Sequence, residues 1–400
     1  MATLVLSWGY NEDGQLGMGA MDDEGRLEGD VVSGLSSPFA TLPSPVLTPP
    51  DIKFVEVSCG SRHTLALTVS GCVYSWGWGH QGQLGHGDML SCDKPQLVEG
   101  FDSPVAIVSA GGYHSCCLTR DGVWTFGSDQ YGQLGKRSLC DSVGVPSAMP
   151  LRVDSLDATG LEWIDARCGG THTAALSADG TMYTWGRCDS GQLGTGTVAH
   201  GDDADAGHSL GTAQPARVLF PPCVRVDRMS LGAFHSACVD RDGALWTFGK
   251  EDYGMLGFSL AGDQHTPRRV EALSHTRTKT VSCGGWHTVA VSEAGVFSFG
   301  RGEYGRLGLG DSKGRLEPAR VTALDDVDVV RVSCGGSHTL VLAANGAVFS
   351  FGRGDHGTVV RTPSDLVPPT DVPLEGLESH PTSATFVSAG GSHSCALVSS

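Results

Sequence analysis

Seven histidines each stand three residues after a glycine: His63, His114, His172, His235, His287, His338 and His393. An imidazole is the side chain best suited to acid, base or metal-ligand work near neutral pH, so the set raises both catalysis and metal binding. Four of the turns read Cys-x-x-x-His, at Cys59/His63, Cys168/His172, Cys283/His287 and Cys334/His338, a spacing that could pass for half of a zinc site. Three segments, 77–82, 300–305 and 352–357, match Gly-x-Gly-x-x-Gly, which could let a backbone approach a pyrophosphate. Neither a nucleophile beside a base nor a pair of carboxylates stands out.

The elements that would position these groups are repeated. Successive histidines are 51, 58, 63, 52, 51 and 55 residues apart, the period of a repeat architecture. In step with them run the pairs Trp8-Gly9, Trp76-Gly77, Phe126-Gly127, Trp185-Gly186, Phe248-Gly249, Phe299-Gly300 and Phe351-Gly352. Behind six of these comes a Gly-x-Leu-Gly loop, and the seventh, Gly357-Thr358-Val359-Val360, has decayed. Each unit reads as an apolar strand, a glycine turn, a second strand opening at the histidine, a tight turn, a third strand and a glycine-rich loop. A weaker fourth strand follows, best seen in 319–324 and 268–273.

Four short antiparallel strands per unit make a β-propeller blade. An open solenoid is the rival, and the chain ends argue against it. The sequence starts on a third strand, Leu4 to Trp8, and finishes on a first and a second, Phe386 to Ser388 and Ser394 to Val398. Paired, these halves complete one blade and remove two exposed edges. The expected fold is all-β, a single seven-bladed propeller over residues 1–400 with its ring closed by the N- and C-terminal strands.

The repeat also changes the chemistry. At the cysteine position the other units carry Ala110, Leu231 and Ala389, so the site behaves as packing and no metal is expected. A histidine present in every unit serves something every unit needs; the expectation is that it hydrogen-bonds backbone at its turn and packs between blades. The glycine-rich matches lead into further turns rather than a helix, so no dinucleotide site is expected. No cofactor and no catalytic residue are assigned.

Composition narrows the class further. With 27 basic against 44 acidic residues, net charge −17, the surface repels phosphate backbones, and direct nucleic-acid binding is not expected. No run of basic residues of the kind that tracks nucleic acid is visible in the sequence. No membrane or targeting segment is visible, because Leu4-Val5-Leu6 is consumed as a strand. The 13 cysteines lack framework spacing and suit a reducing compartment, cytosol or nucleus. A monomer is expected.

The Gly-x-x-His-Thr, Trp-Gly and Gly-Gln-Leu-Gly signatures resemble those of the regulator of chromosome condensation family, and the resemblance spans essentially the whole chain. It implies the seven-bladed ring. It also implies guanine-nucleotide exchange on a Ran-like small GTPase as one available function, with acidic and histidine side chains just before the turn histidine in exchange-factor members. Here that position holds Arg62, Tyr113, Thr171, Phe234, Trp286, Ser337 and Ser392, none acidic and none histidine. Ultraviolet sensing, a third family role, implies several tryptophan-bearing turns in consecutive blades, and only Trp286 lies at a turn.

What is left once the repeat is subtracted is that pre-histidine position and the loops around it. Loops 18–44 and 195–214 are long excursions, the second bearing Asp202, Asp203 and Asp205. In a four-stranded meander they emerge on the same face as the histidine turns. Phe234 and Trp286 on adjacent blades, with Tyr113 and Arg62 farther round, have the composition of an interface hot spot beside an acidic rim. The competing expectation folds these aromatics inward over the axial channel. The leading reading is therefore a non-catalytic propeller binding a protein partner on its turn face, with exchange on a small GTPase as the alternative.

Overall fold

The structure is a computed structural model that describes residues 3–19, 39–136, 144–197, 210–259, 262–359, 369–374 and 383–399. Seven four-stranded antiparallel sheets are arranged as blades. The second strand of every blade, from His63–Thr68 round to His393–Ser399, is buried on both faces because a neighbouring blade packs on each side. This explains its unbroken run of small and branched side chains, where a strand with one solvated face would alternate. The third-strand anchors Trp8, Trp76, Phe126, Trp185, Phe248, Phe299 and Phe351 are all 0% exposed. Each fills the seam between two blades, which is why an aromatic recurs there.

Closure occurs as the sequence predicts. Thr3–Tyr10 lies between His393–Ser399 and Phe39–Pro45, with Leu4 opposite Val398, Leu6 opposite Ala396 and Trp8 opposite Ser394. The outer strands differ from expectation. They begin earlier, at Gln264–Arg269 and Arg315–Arg320, and the segments read as their ends form single 3-10 turns, Glu271–Leu273 and Thr322–Leu324. These turns tuck Leu273 and Leu324 into the blade edge at 3% exposure each, a burial that a continued edge strand would not give. Six of the outer strands also contain a proline (Pro43, Pro95, Pro150, Pro215, Pro267 and Pro318), which removes a free N–H from the sheet edge and blunts pairing with another chain.

Two rings of hydrogen bonds tie blade to blade around the axis. In the glycine turns a backbone N–H of each blade donates to the next: Ser61 to Gly111, Gly112 to Gly169, Gly170 to Gly232, Ala233 to Gly284, Gly285 to Gly335, Gly336 to Gly390 and Gly391 back to Gly60, at 2.9–3.2 Å. The approach is too close for a side chain, since a Cβ on Gly284 would sit 2.6 Å from the Gly335 carbonyl oxygen and 2.5 Å from the His287 ring. The second ring uses the histidines.

Candidate interaction face

Each imidazole Nε2 meets the hydroxyl that follows the histidine of the next blade: His63 with Ser115, His114 with Thr173, His172 with Ser236, His235 with Thr288, His287 with Thr339, His338 with Ser394 and His393 with Thr64, all at 2.8–2.9 Å. The hydroxyls donate in turn to a carbonyl of the glycine-rich loop, as Ser115 does to Gln83 at 2.8 Å and Thr288 to Met255 at 2.8 Å. Their protons being spent there, Nε2 must be the donor, which fixes the neutral tautomer. The expectation of a backbone partner is thus corrected: the partner is a side chain one blade on, because the imidazole lies flat on its own glycine turn and its outer edge points across the seam. Burial drives the pKa of His63, His114, His172, His235 and His338 down to about 3, and that of His287 well below its ordinary value. Burial likewise pushes the Cys334 thiol up to about 12 and raises Cys283. Uncharged, mutually spaced groups of this kind are fastenings; among the described residues no three of His, Cys, Asp and Glu are placed to hold a metal ion.

The side chains one place before these histidines are not used by the rings. Phe234 and Trp286 are in contact across the seam of adjacent blades, ring centroids 4.8 Å apart and tilted by 41°. Both are half-buried, and neither lines the axial mouth, which is walled by the glycine turns. Tyr253 meets Trp286 edge-on at 6.0 Å. Around the pair stand cations: Lys250 Nζ lies 5.7 Å from the Phe234 centroid and 5.9 Å from that of Trp286, and the Arg187 guanidinium is 5.7 Å from Phe234 and 5.1 Å from Tyr131. Each cation is paired with a carboxylate two residues on, Arg187 with Asp189 at 2.6 Å and Lys250 with Asp252 at 3.0 Å.

A second cluster lies farther round. Arg62 donates twice to Asp13, at 2.6 and 2.7 Å, and covers Trp78 at 5.3 Å. Trp78 then meets Tyr113 edge-on at 5.4 Å, and Tyr113 is 41% exposed. Phe234 and Trp286 are therefore brought together as the sequence suggests, and so are Arg62 and Tyr113, but the two groups are separate. Thr171 and Ser337 take the small-residue positions in other turns. Asp202, Asp203 and Asp205 lie outside the described residues.

Sequence reading missed the residue after each third-strand glycine. In four consecutive blades it is Arg187, Lys250, Arg301 and Arg353, each followed two places later by an acid. That basic-x-acidic spacing was the available signal. It also missed Tyr253 and Tyr304, exposed on the same loops with φ of +62° and +61°. Such backbone costs a non-glycine residue of order 1 kcal/mol, and exposed side chains held that way concentrate at functional surfaces.

Residues 4–396 match the family model described as the RCC1-like domain. The chain is 34% identical over 359 residues to the Arabidopsis thaliana ultraviolet-B receptor UVR8, covering 88% of this chain and 74% of that protein. To the mouse regulator of chromosome condensation it is 31% identical over 416 residues, covering 99% and 90%. It also matches the human E3 ubiquitin-protein ligase HERC2, of whose length the chain spans only 6%. Among solved structures, Prp20p of Saccharomyces cerevisiae, described with its binding to Gsp1p and histones, superposes over 100% of this chain and 92% of its own with a TM-score of 0.79 at 20% identity. With the match running through all seven blades, the chain belongs to the RCC1-like domain family.

Proposed function

We propose that this propeller is a non-catalytic binding module that holds a protein partner on its turn face, anchored at Phe234 and Trp286. One observation carries the reading: two large aromatics meet across a blade seam at a position that the inter-blade rings leave free. Aromatic rings with flanking arginines are the composition of binding hot spots, and truncating one typically costs about 2 kcal/mol or more. The partner presents an apolar knob to this pair. Basic groups around the knob would meet Asp252 and the acidic excursion at Asp202, Asp203 and Asp205, while acidic ones would meet Lys250 and Arg187. Arg62 and Tyr113 form a second contact point farther round. A monomer of net charge −17 is directed by this reading to proteins in the cytosol or nucleus, with neither nucleic acid nor membrane as its target; no helix among the described residues is long and apolar enough to cross a membrane.

Guanine-nucleotide exchange on a Ran-like GTPase is the second reading, supported by the near full-length similarity to the mouse regulator of chromosome condensation. Against it stands the absence of acidic or histidine side chains at the pre-histidine turn position. A nucleotide-release assay against a panel of small GTPases separates the two. The binding reading expects no acceleration with any of them, and a stimulated release lost in Trp286→Ala would instead assign exchange to this face.

A further inference from the structure

Six blades carry a serine one place before the end of the inner strand: Ser58, Ser109, Ser230, Ser282, Ser333 and Ser388. Each hydroxyl oxygen accepts a backbone N–H of the next blade at 2.9 Å, as Ser58 does from Ala110 and Ser282 from Cys334. This is a third ring around the axis. With the oxygen engaged, the hydroxyl proton is what each serine offers to an occupant of the channel. All six line one axial cavity of about 320 Å³, room for about ten waters.

The seventh place in the ring breaks the pattern with Arg167. Its Nε donates to Asp165 at 2.9 Å and its Nη1 lies 3.6 Å from Glu56, two blades away. Arg331 reaches the same cavity and makes no ion pair among the described residues. Its guanidinium lies over the Phe386 ring at 3.6 Å, and its buried Nε makes no hydrogen bond. Burial, and then the charge of Arg167, bring its pKa down to about 10 against the opposing pull of Glu56, so it stays a cation, with no counter-ion in contact among the described residues. Arg228 is the third arginine on the wall, set against Asp227 at 3.5 Å. The wall thus holds three arginines against Glu56 and Asp165, with hydroxyl donors on nearly every side.

We propose that the axial cavity binds a small phosphate, inorganic phosphate or a short phosphate ester, clamped by Arg331 and Arg167 and surrounded by the serine hydroxyls. A tetrahedral oxyanion turns an acceptor toward donors all round the axis, whereas a planar carboxylate would satisfy one side only. The desolvated arginine gains the counter-ion it lacks.

The test is isothermal titration of the full chain with inorganic phosphate, with melting curves in phosphate and in chloride of equal ionic strength. Saturable one-site binding is expected, with a melting temperature raised above that in chloride. Arg331→Gln should weaken binding at least tenfold. Arg167→Ser, which restores the residue of the other six blades, should do the same and guards against a folding defect in the first variant. Competition by glycerol 3-phosphate would extend the site to esters, and its absence would restrict it to the free ion. No binding heat and no melting shift beyond chloride, or binding retained in both variants, would overturn the proposal.

Discussion

A residue in this ring acts through its neighbour one blade away. Thr339 shows it: the hydroxyl accepts from His287 at 2.8 Å and donates to the Arg306 carbonyl at 3.1 Å. Thr339→Val keeps the shape and strands both groups, so a loss of about 1–3 kcal/mol is expected by urea unfolding; a change within a few tenths would mean that the ring bond contributes nothing. The histidines set the acid limit of the fold. Five have folded pKa values of about 3 against an ordinary 6.5, and burial lowers His287 in the same direction, so the unfolded chain binds more protons below 6.5 and stability is lost as pH falls through the window. At pH 5.5 each of the five contributes up to about 1.4 kcal/mol of destabilisation, together about 7, as much as the whole stability of many domains. Cooperative unfolding near that pH, with uptake of about five protons, is expected from potentiometric titration; a fold stable to pH 4 would contradict the assignment. A hydroxyl partner for the histidines had a signal in the sequence, since every one is followed by Thr or Ser. What the sequence could not supply was the register between blades that sets the imidazole of one against the hydroxyl of the next.

At the scale of elements, the glycine-rich loop is the clasp between blades. Its x residue offers a carbonyl to the next blade's hydroxyl and, where the anchor is tryptophan, to the indole, as Gln15 does for Trp76 at 2.9 Å. The seventh loop looks decayed yet keeps the clasp: the Thr358 carbonyl accepts from Trp8 at 3.2 Å, and Val359 fills the leucine site at 1% exposure. A sequence template that demands Leu-Gly discards it, whereas packing asks only for an apolar side chain there. Arg167 is a break of the opposite kind, visible in the sequence only once the inner-strand serines are seen as a ring. In one loop the clasp carries a titratable group, Glu251, whose carboxylate accepts from Leu256 N at 3.1 Å while burial lifts its pKa to about 7. A carboxyl raised in the folded state binds its proton more tightly there, so this group favours the fold as pH drops from about 7 toward 4.5. Glu251→Gln should therefore stabilise by about 1 kcal/mol at pH 8, after allowance for solvent, and by about a quarter of that at pH 5. Equal melting shifts at both pH values would rule out this titration.

At the scale of the whole molecule, closure turns seven marginal sheets into one body. Thr3–Tyr10 contributes Val5, Leu6 and Trp8, all at or below 2% exposure, to seams on both sides. Deleting residues 1–10 removes burial worth about 6 kcal/mol by the usual scale for large apolar side chains and leaves two open edges. A truncated chain that melts within a degree or two of the full one would contradict a closed ring. Closure and blade number could be read from period and chain ends alone, since both follow from local pattern. The turn face could be read only in part: Phe234 and Trp286 showed themselves as departures from a repeat, but their cationic surround comes from another loop, and only the fold joins the two. The ring occupies the histidines and the glycine turns with holding itself together, and the side chains just before the histidines are left out of those bonds. The direct test is surface plasmon resonance of Trp286→Ala against the partner recovered by pull-down, with a melting curve of the same preparation. Binding weakened roughly tenfold or more at an unchanged melting temperature is expected; normal binding, or a loss that merely follows unfolding, would show that Trp286 belongs to the scaffold and not to the site.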